Sequence, residues 1–304
     1  LLDARSIAAF APGSAAHPRR IAFWGDSHIA GGPFAPTLIQ ALRDKGLSVE
    51  ARFLPPTMGR ANVALPGLRA YCIGSSWTTA IAYTSPTPLD IGPALANRIV
   101  DAGPDSYLWL DVRDASRRTD VEQVRLVYSA PAGASIDYVL DDRVRRTVSL
   151  PATAASRTVT LRADAPVSTL KLRVSRGKLV LQGFILDRTQ TPDPDVAFDF
   201  FGIPSATAKG WANADPEALA QALNGVGYDG VVLEYGTNEG ADPDFDADKY
   251  ATMLARALGN LRQVLPNASC LRLGKPDRGV LRKGNGNTTP LRAYGRIQQR
   301  IERI

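Results

Sequence analysis

Apolar and polar residues recur with two different periods along this chain, and the period changes twice. Residues 20–24 (RIAFW) form an apolar run of the length of a short buried strand. Residues 33–46 place Leu38, Ile39 and Leu42 at helical spacing and stop at Gly46. Residues 47–54 (LSVEARFL) predict a second strand. Strand, helix, strand is the grammar of a parallel sheet flanked by helices.

From about Leu68 to Asp187 the pattern becomes short strands separated by turn residues: 77–83, 106–112, 123–130, 136–140, 158–163, 169–175 and 178–186. The run Thr169-Leu170-Lys171-Leu172-Arg173-Val174 alternates strictly, so one face is inward and the other wet. Many such strands at short spacing predict an antiparallel sandwich. Residues 189–195 (TQTPDPD) read as a linker, and α/β grammar then resumes. It gives a strand at 196–203 and a helix at 215–227 with Asp215 as N-cap. A parallel strand follows that opens into a polar loop over 229–240, then a long amphipathic helix at 246–266, then a strand and loop at 269–277. The expectation is an α/β domain with an all-β module inserted into it, divided as 1–67, 68–193 and 194–304.

Composition sets limits on function. The 304 residues are 44% hydrophobic and 22% charged, with a formal net charge of +6. The positive charge is spread along the chain, with no dense Lys/Arg block and no basic run interleaved with aromatics, which points away from nucleic acid. No run reaches the roughly 18 apolar residues of a membrane span. The spacing of Cys72 and Cys270 establishes no disulfide. There is no His/Cys cluster and no lysine-bearing phosphate loop, so neither a metal nor an organic cofactor is called for. The chain opens LLDARSIAAFAPG without Met, which fits a removed leader and a periplasmic or secreted protein. It ends RIQQRIERI within a helical pattern and without a C-cap, so a continuation is expected.

Three loops follow the carboxyl ends of predicted parallel strands: GDSH (25–28), GIPSAT (202–207) and GTNE (236–239). That edge of an open α/β sheet is where ligands bind. Each loop offers something that acyl transfer needs. Ser27 offers a hydroxyl at the start of a helix, Asn238 a side-chain amide for an oxyanion, and GIPSAT small residues whose backbone N–H groups can approach a ligand. Taken singly, Gly-Asp-Ser is also an ordinary helix cap and GTNE an ordinary turn; their joint occurrence in this order is the specific signal. Trp77 and Tyr83 are candidate sugar-facing aromatics, with core packing the plainer reading of both.

These residues resemble the SGNH (GDSL-type) hydrolase superfamily. Gly25-Asp26-Ser27 matches its first block and Gly236-Thr237-Asn238 its third. The second block supplies a glycine N–H. Ser205 aligns with that glycine because Thr207 then matches the block's threonine, and Gly202 is the alternative. The resemblance implies a flavodoxin-like three-layer domain with Ser27 as nucleophile. The oxyanion would be held by the N–H groups of Ser27 and Ser205 (or Gly202) and by the Asn238 amide. Asp26 would support the turn, while Thr237 and Glu239 brace the loop. The fourth block, an Asp-x-x-His carrying base and orienting acid, is missing. His17 precedes the first strand, His28 adjoins the nucleophile, and Asp277 in KPDR has no His three residues on. The triad Asp and His are therefore expected beyond Ile304.

An inserted jelly-roll-like sandwich narrows the resemblance to bacterial peptidoglycan O-acetylesterases and modular hemicellulose acetyl esterases. The implied activity is removal of O-acetyl groups from a polysaccharide, foremost peptidoglycan, with the acetylated glycan as partner. A xylan-type acetyl esterase, a lipase or thioesterase of the same superfamily, and a non-catalytic glycan-binding protein stand as alternatives.

Overall fold

The computed structural model describes Phe10, residues 18–274 apart from 115, 144, 189–193, 224–225 and 243, and the short stretches 279–281 and 288–290. Most of the stretch read as a linker, residues 189–193, therefore lies outside the described residues, as does Asp277. Five strands form a parallel sheet: β1 (Arg19–Gly25), β2 (Val49–Ala51), β3 (Val196–Gly202), β4 (Gly230–Glu234) and β5 (Ser269–Leu273). Their order across the sheet is β5-β4-β1-β3-β2. The first strand therefore sits at the centre, with Gly25 in register between Gly202 and Glu234.

Both faces of this sheet are covered, as a parallel sheet requires. Ile21 and Phe23 of β1 share one core with helices α1 (Ser27–Ala30) and α2 (Phe34–Arg43). Ala22 and Trp24 point the other way. Their core includes Trp211 of α3 (Lys209–Asn213), Leu219 of α4 (Pro216–Ala222) and Leu254 of α5 (Ala247–Val264). Aromatic rings fill both sides: Phe23 stacks on Phe200 at 5.1 Å, and Trp24 meets Trp211 edge-on at 5.1 Å. Asp215 caps α4, as expected, and Asp246 caps α5, each by accepting from first-turn N–H groups.

The central segment folds as an antiparallel sheet that curls around one core. Its spine is a single strand of 20 residues, Thr169–Arg188. The first half pairs with Tyr107–Asp111 and Ala134–Leu140. The second half pairs with Val121–Ala130, Ala96–Asp101 and Phe53–Leu54. Leu170, Leu172 and Val174 are buried while Lys171 and Arg173 are exposed, so the alternation in the sequence is realised.

Two sequence expectations change. The separate strands at 169–175 and 178–186 are one. Gly177 adopts φ +74° at the junction, and a Cβ there would stand 2.2 Å from the Gly133 carbonyl oxygen. Only glycine lets the chain bend there without leaving the sheet. Conversely, the strand expected over 47–54 is two. Val49–Ala51 stays in the parallel sheet, and Phe53–Leu54 joins the antiparallel one. Buried Asp199 causes the change of allegiance by accepting the Phe53 N–H at 3.0 Å. Trp77 is buried with its indole N–H donating to the Tyr107 carbonyl at 2.9 Å. Tyr83 is half-buried and donates to the Pro204 carbonyl at 3.1 Å. Both cysteines are free.

Candidate active site

The site begins where β1 stops. Asp26 caps the short helix α1 by accepting the His28 N–H at 2.9 Å, which leaves Ser27 as the first helical residue, exposed to solvent. The helix crosses the strand ends very closely. A Cβ on Gly25 would lie 2.4 Å from Ile29 Cγ1, and one on Gly202 would lie 2.1 Å from the Ala30 nitrogen. The Ile203 N–H donates to the Gly25 carbonyl at 3.0 Å, tying the end of β3 to the Ser27 turn. Gly202 is thus a packing glycine, buried against backbone.

The next turn carries Ser205, a non-glycine residue at φ +66°. L-residues pay roughly 1–2 kcal/mol for this left-handed conformation. Ser205 is exposed, and among the described residues its N–H has no acceptor. This is the backbone geometry of a glycine position, held by a serine.

The third loop closes over the first two. Asn238 donates through Nδ2 to the Ala206 carbonyl at 2.8 Å and to Asp26 Oδ2 at 3.3 Å. An amide 212 residues away in sequence therefore touches the residue before Ser27. Glu239 is buried and clamps two loops at once: one oxygen accepts the Ala208 N–H at 2.8 Å, the other the Gly236 N–H at 3.0 Å. Burial raises its pKa, and the two N–H groups counter that rise. Thr237 is also buried, with no hydrogen bond to its hydroxyl among the described residues. Ser27, Asp26, Gly202, Ser205, Thr237, Asn238 and Glu239 thus stand together at the carboxyl ends of β1, β3 and β4.

One residue here escapes a sequence reading. Glu234 ends β4 beside Gly25 and is buried. Its Oε2 accepts the Asp26 N–H at 3.3 Å. Burial and the neighbouring Asp26 charge push its pKa up to about 8, so it is neutral near pH 7. The only signal in the sequence is an acid closing the apolar run VVLE. Above it, His28 Nδ1 lies 2.8 Å from Asp26 Oδ1 and 3.6 Å from Glu234 Oε1. Asp26, His28 and Glu234 are close enough to bracket a cation, with ligand atoms within 4.8 Å of one another. Both Asp26 oxygens are already engaged, however, by His28 and Asn238. His17 lies outside the described residues.

The fold that brings these loops together is one that a solved protein shares. A structure described as a peptidoglycan O-acetylesterase in action aligns over 99% of this chain and 78% of its own, with a TM-score of 0.68 and 18% identity. This chain has that esterase's fold. A family two carbohydrate esterase from Cellvibrio japonicus aligns over 77% of this chain and 85% of its own, at 12% identity and a TM-score of 0.27. A family 6 carbohydrate-binding module aligns over 46% of this chain and 96% of its own, at 12% identity and a TM-score of 0.30. Those two scores are too low to extend the likeness. No protein-family model matches the chain, and no curated protein does. No helix among the described residues is long and apolar enough to cross a membrane.

Proposed function

We propose that this protein is a serine esterase that removes O-acetyl groups from a polysaccharide, with O-acetylated peptidoglycan as its foremost substrate. The observation that carries the reading is the Asn238 amide held 3.3 Å from Asp26, which brings it to the rim where Ser27 is exposed. Ser27 gives its proton to the base and attacks the acetyl carbonyl; the sugar oxygen leaves with that proton, and water then cleaves the acetyl-serine to release acetate and restore Ser27. The developing oxyanion is met by the N–H groups of Ser27 and Ser205, with Asn238 turning one amide hydrogen from its carbonyl partner toward it. Ser205 is preferred to Gly202 because it is exposed and its N–H has no acceptor among the described residues, whereas Gly202 is packed against α1. Thr237 and Glu239 brace the rim, and Asp26 holds the turn.

The reading takes the α/β part as a three-layer, flavodoxin-like unit and the central segment as a jelly-roll-like insert, divided as 1–67, 68–193 and 194–304. Activity on wall glycan implies a periplasmic or secreted protein. The base and its orienting acid are assigned to an Asp-x-x-His outside this sequence. One observation favours a second reading of the base: Asp26 anchors His28 Nδ1, leaving Nε2 as an acceptor, as an orienting carboxylate does in a triad.

Acetate release from O-acetylated peptidoglycan and from acetylated xylan tests the proposal, with Ser27→Ala and His28→Ala beside the unaltered protein. Loss of about 10³-fold or more in Ser27→Ala is expected. Equal release by that variant refutes the nucleophile. A comparable loss in His28→Ala selects the second reading, and a loss below about tenfold selects the first.

A further inference from the structure

Asp26 and His28 flank Ser27 in the chain, and Glu234 reaches them from the end of β4, 208 residues after Asp26. Each turns one candidate ligand atom toward the others, and these atoms lie within 4.8 Å of one another. His28 Nδ1 is 2.8 Å from Asp26 Oδ1 and 3.6 Å from Glu234 Oε1. Zinc held tetrahedrally at about 2.1 Å sets its ligand atoms about 3.4 Å apart. The two separations straddle that value, so small side-chain shifts would admit an ion.

A second observation points to a ligand. Glu234 Oε1 has no hydrogen-bond partner among the described residues, although its side chain is only 4% exposed. A buried polar atom of that kind calls for a partner. The other oxygen, Oε2, accepts the Asp26 N–H at 3.3 Å, which leaves Oε1 facing His28. The Asn238 amide donates to Asp26 Oδ2 at 3.3 Å and orients that carboxylate too. Outer contacts of this sort fix the geometry of metal ligands. The existing bonds to Asp26 leave room for an ion, because each carboxylate oxygen carries two lone pairs. The ion would replace the hydrogen between Nδ1 and Oδ1, the imidazole proton would move to Nε2, and the Glu234 carboxyl would release its proton to water. The His28 side chain is 42% exposed, which gives an ion a way in and a water molecule a fourth position. One imidazole and two carboxylates suit zinc and its transition-metal neighbours. Magnesium and calcium require all-oxygen shells with more ligands.

We infer that Asp26, His28 and Glu234 form a binding site for a divalent transition-metal ion, zinc foremost, set against the Ser27 turn. The inference does not depend on Ser27 being a nucleophile. Calorimetric titration of untagged protein with zinc chloride tests it, in a background carrying Cys72→Ser and Cys270→Ser to remove the two free, exposed thiols. Zinc should bind with a Kd of about 100 µM or tighter, and magnesium and calcium chlorides should give no binding. His28→Ala and Glu234→Gln should each weaken zinc at least about tenfold. Thermal unfolding supplies a second measurement and shows that each variant is folded: zinc should raise the Tm of the parent and leave that of either variant unmoved. Zinc binding weaker than about 100 µM, equal affinity in both variants and the parent, or an equal response to magnesium would overturn the inference. Both readouts are made without substrate, so they stand apart from the acetate-release assay.

Discussion

Replacing Glu234 by Gln tests the electrostatics of the site directly. In the folded chain this carboxyl keeps its proton up to about pH 8, whereas its ordinary pKa is 4.5. Between those values the unfolded chain is charged at this position and the folded chain is not. Folding therefore loses favour as pH rises, from a full contribution below about 4.5 to none above about 8. A displacement of that size corresponds to about 5 kcal/mol. The side chain is 4% exposed, so solvent screens little of it. Glutamine cannot titrate, yet its carbonyl can still accept the Asp26 N–H. The variant should match the unaltered protein within about 1 kcal/mol at pH 4 and then gain on it through pH 5–8. Above pH 8 the gap should level off at no more than about 5 kcal/mol. Urea unfolding of both proteins between pH 4 and 9 measures this difference, and titrations of groups remote from Glu234 cancel. A difference independent of pH, or one favouring glutamate as pH rises, would refute the argument.

Other substitutions probe the loops. Gly202→Ala would force a methyl against the Ala30 backbone and should cost about 3 kcal/mol or more in urea unfolding. Ser205→Gly should stabilise the fold by about 0.5–1 kcal/mol in the same assay, because it relieves a left-handed serine. It should leave acetate release intact, since the proposed role of Ser205 uses only its N–H. Glu239→Gln leaves one of two buried N–H groups facing a donor. It should cost about 1–3 kcal/mol in thermal unfolding and lower kcat more than it raises KM.

The parts of the fold legible in the sequence are those set by local periodicity. Leu170, Leu172 and Val174 face a core, and their alternation said so before any contact was known. Asp215 was legible as a cap because a cap is a local bond. The errors have remote causes. Phe53 leaves the strand expected for it because of Asp199, 146 residues away. The break expected near 177 does not occur, because Gly177 can bend where other residues would end the strand. The site divides in the same way. Ser27, Ser205 and Asn238 each follow a strand, and that position singled them out. Glu234 is the last residue of a buried strand, and its chemistry comes from Asp26, 208 residues earlier. Nothing within the run VVLE records that neighbour.

The strand from Thr169 to Arg188 has a consequence for how this molecule opens. One uninterrupted segment serves both halves of the curled sheet and then borders Phe53–Leu54, just two residues past the edge of the parallel sheet. The two halves share no joint at which one could fray while the other stayed closed. Amide protons along Leu170–Val174 and along Leu179–Phe184 should therefore exchange with deuterium at one common rate, as a single cooperative unit.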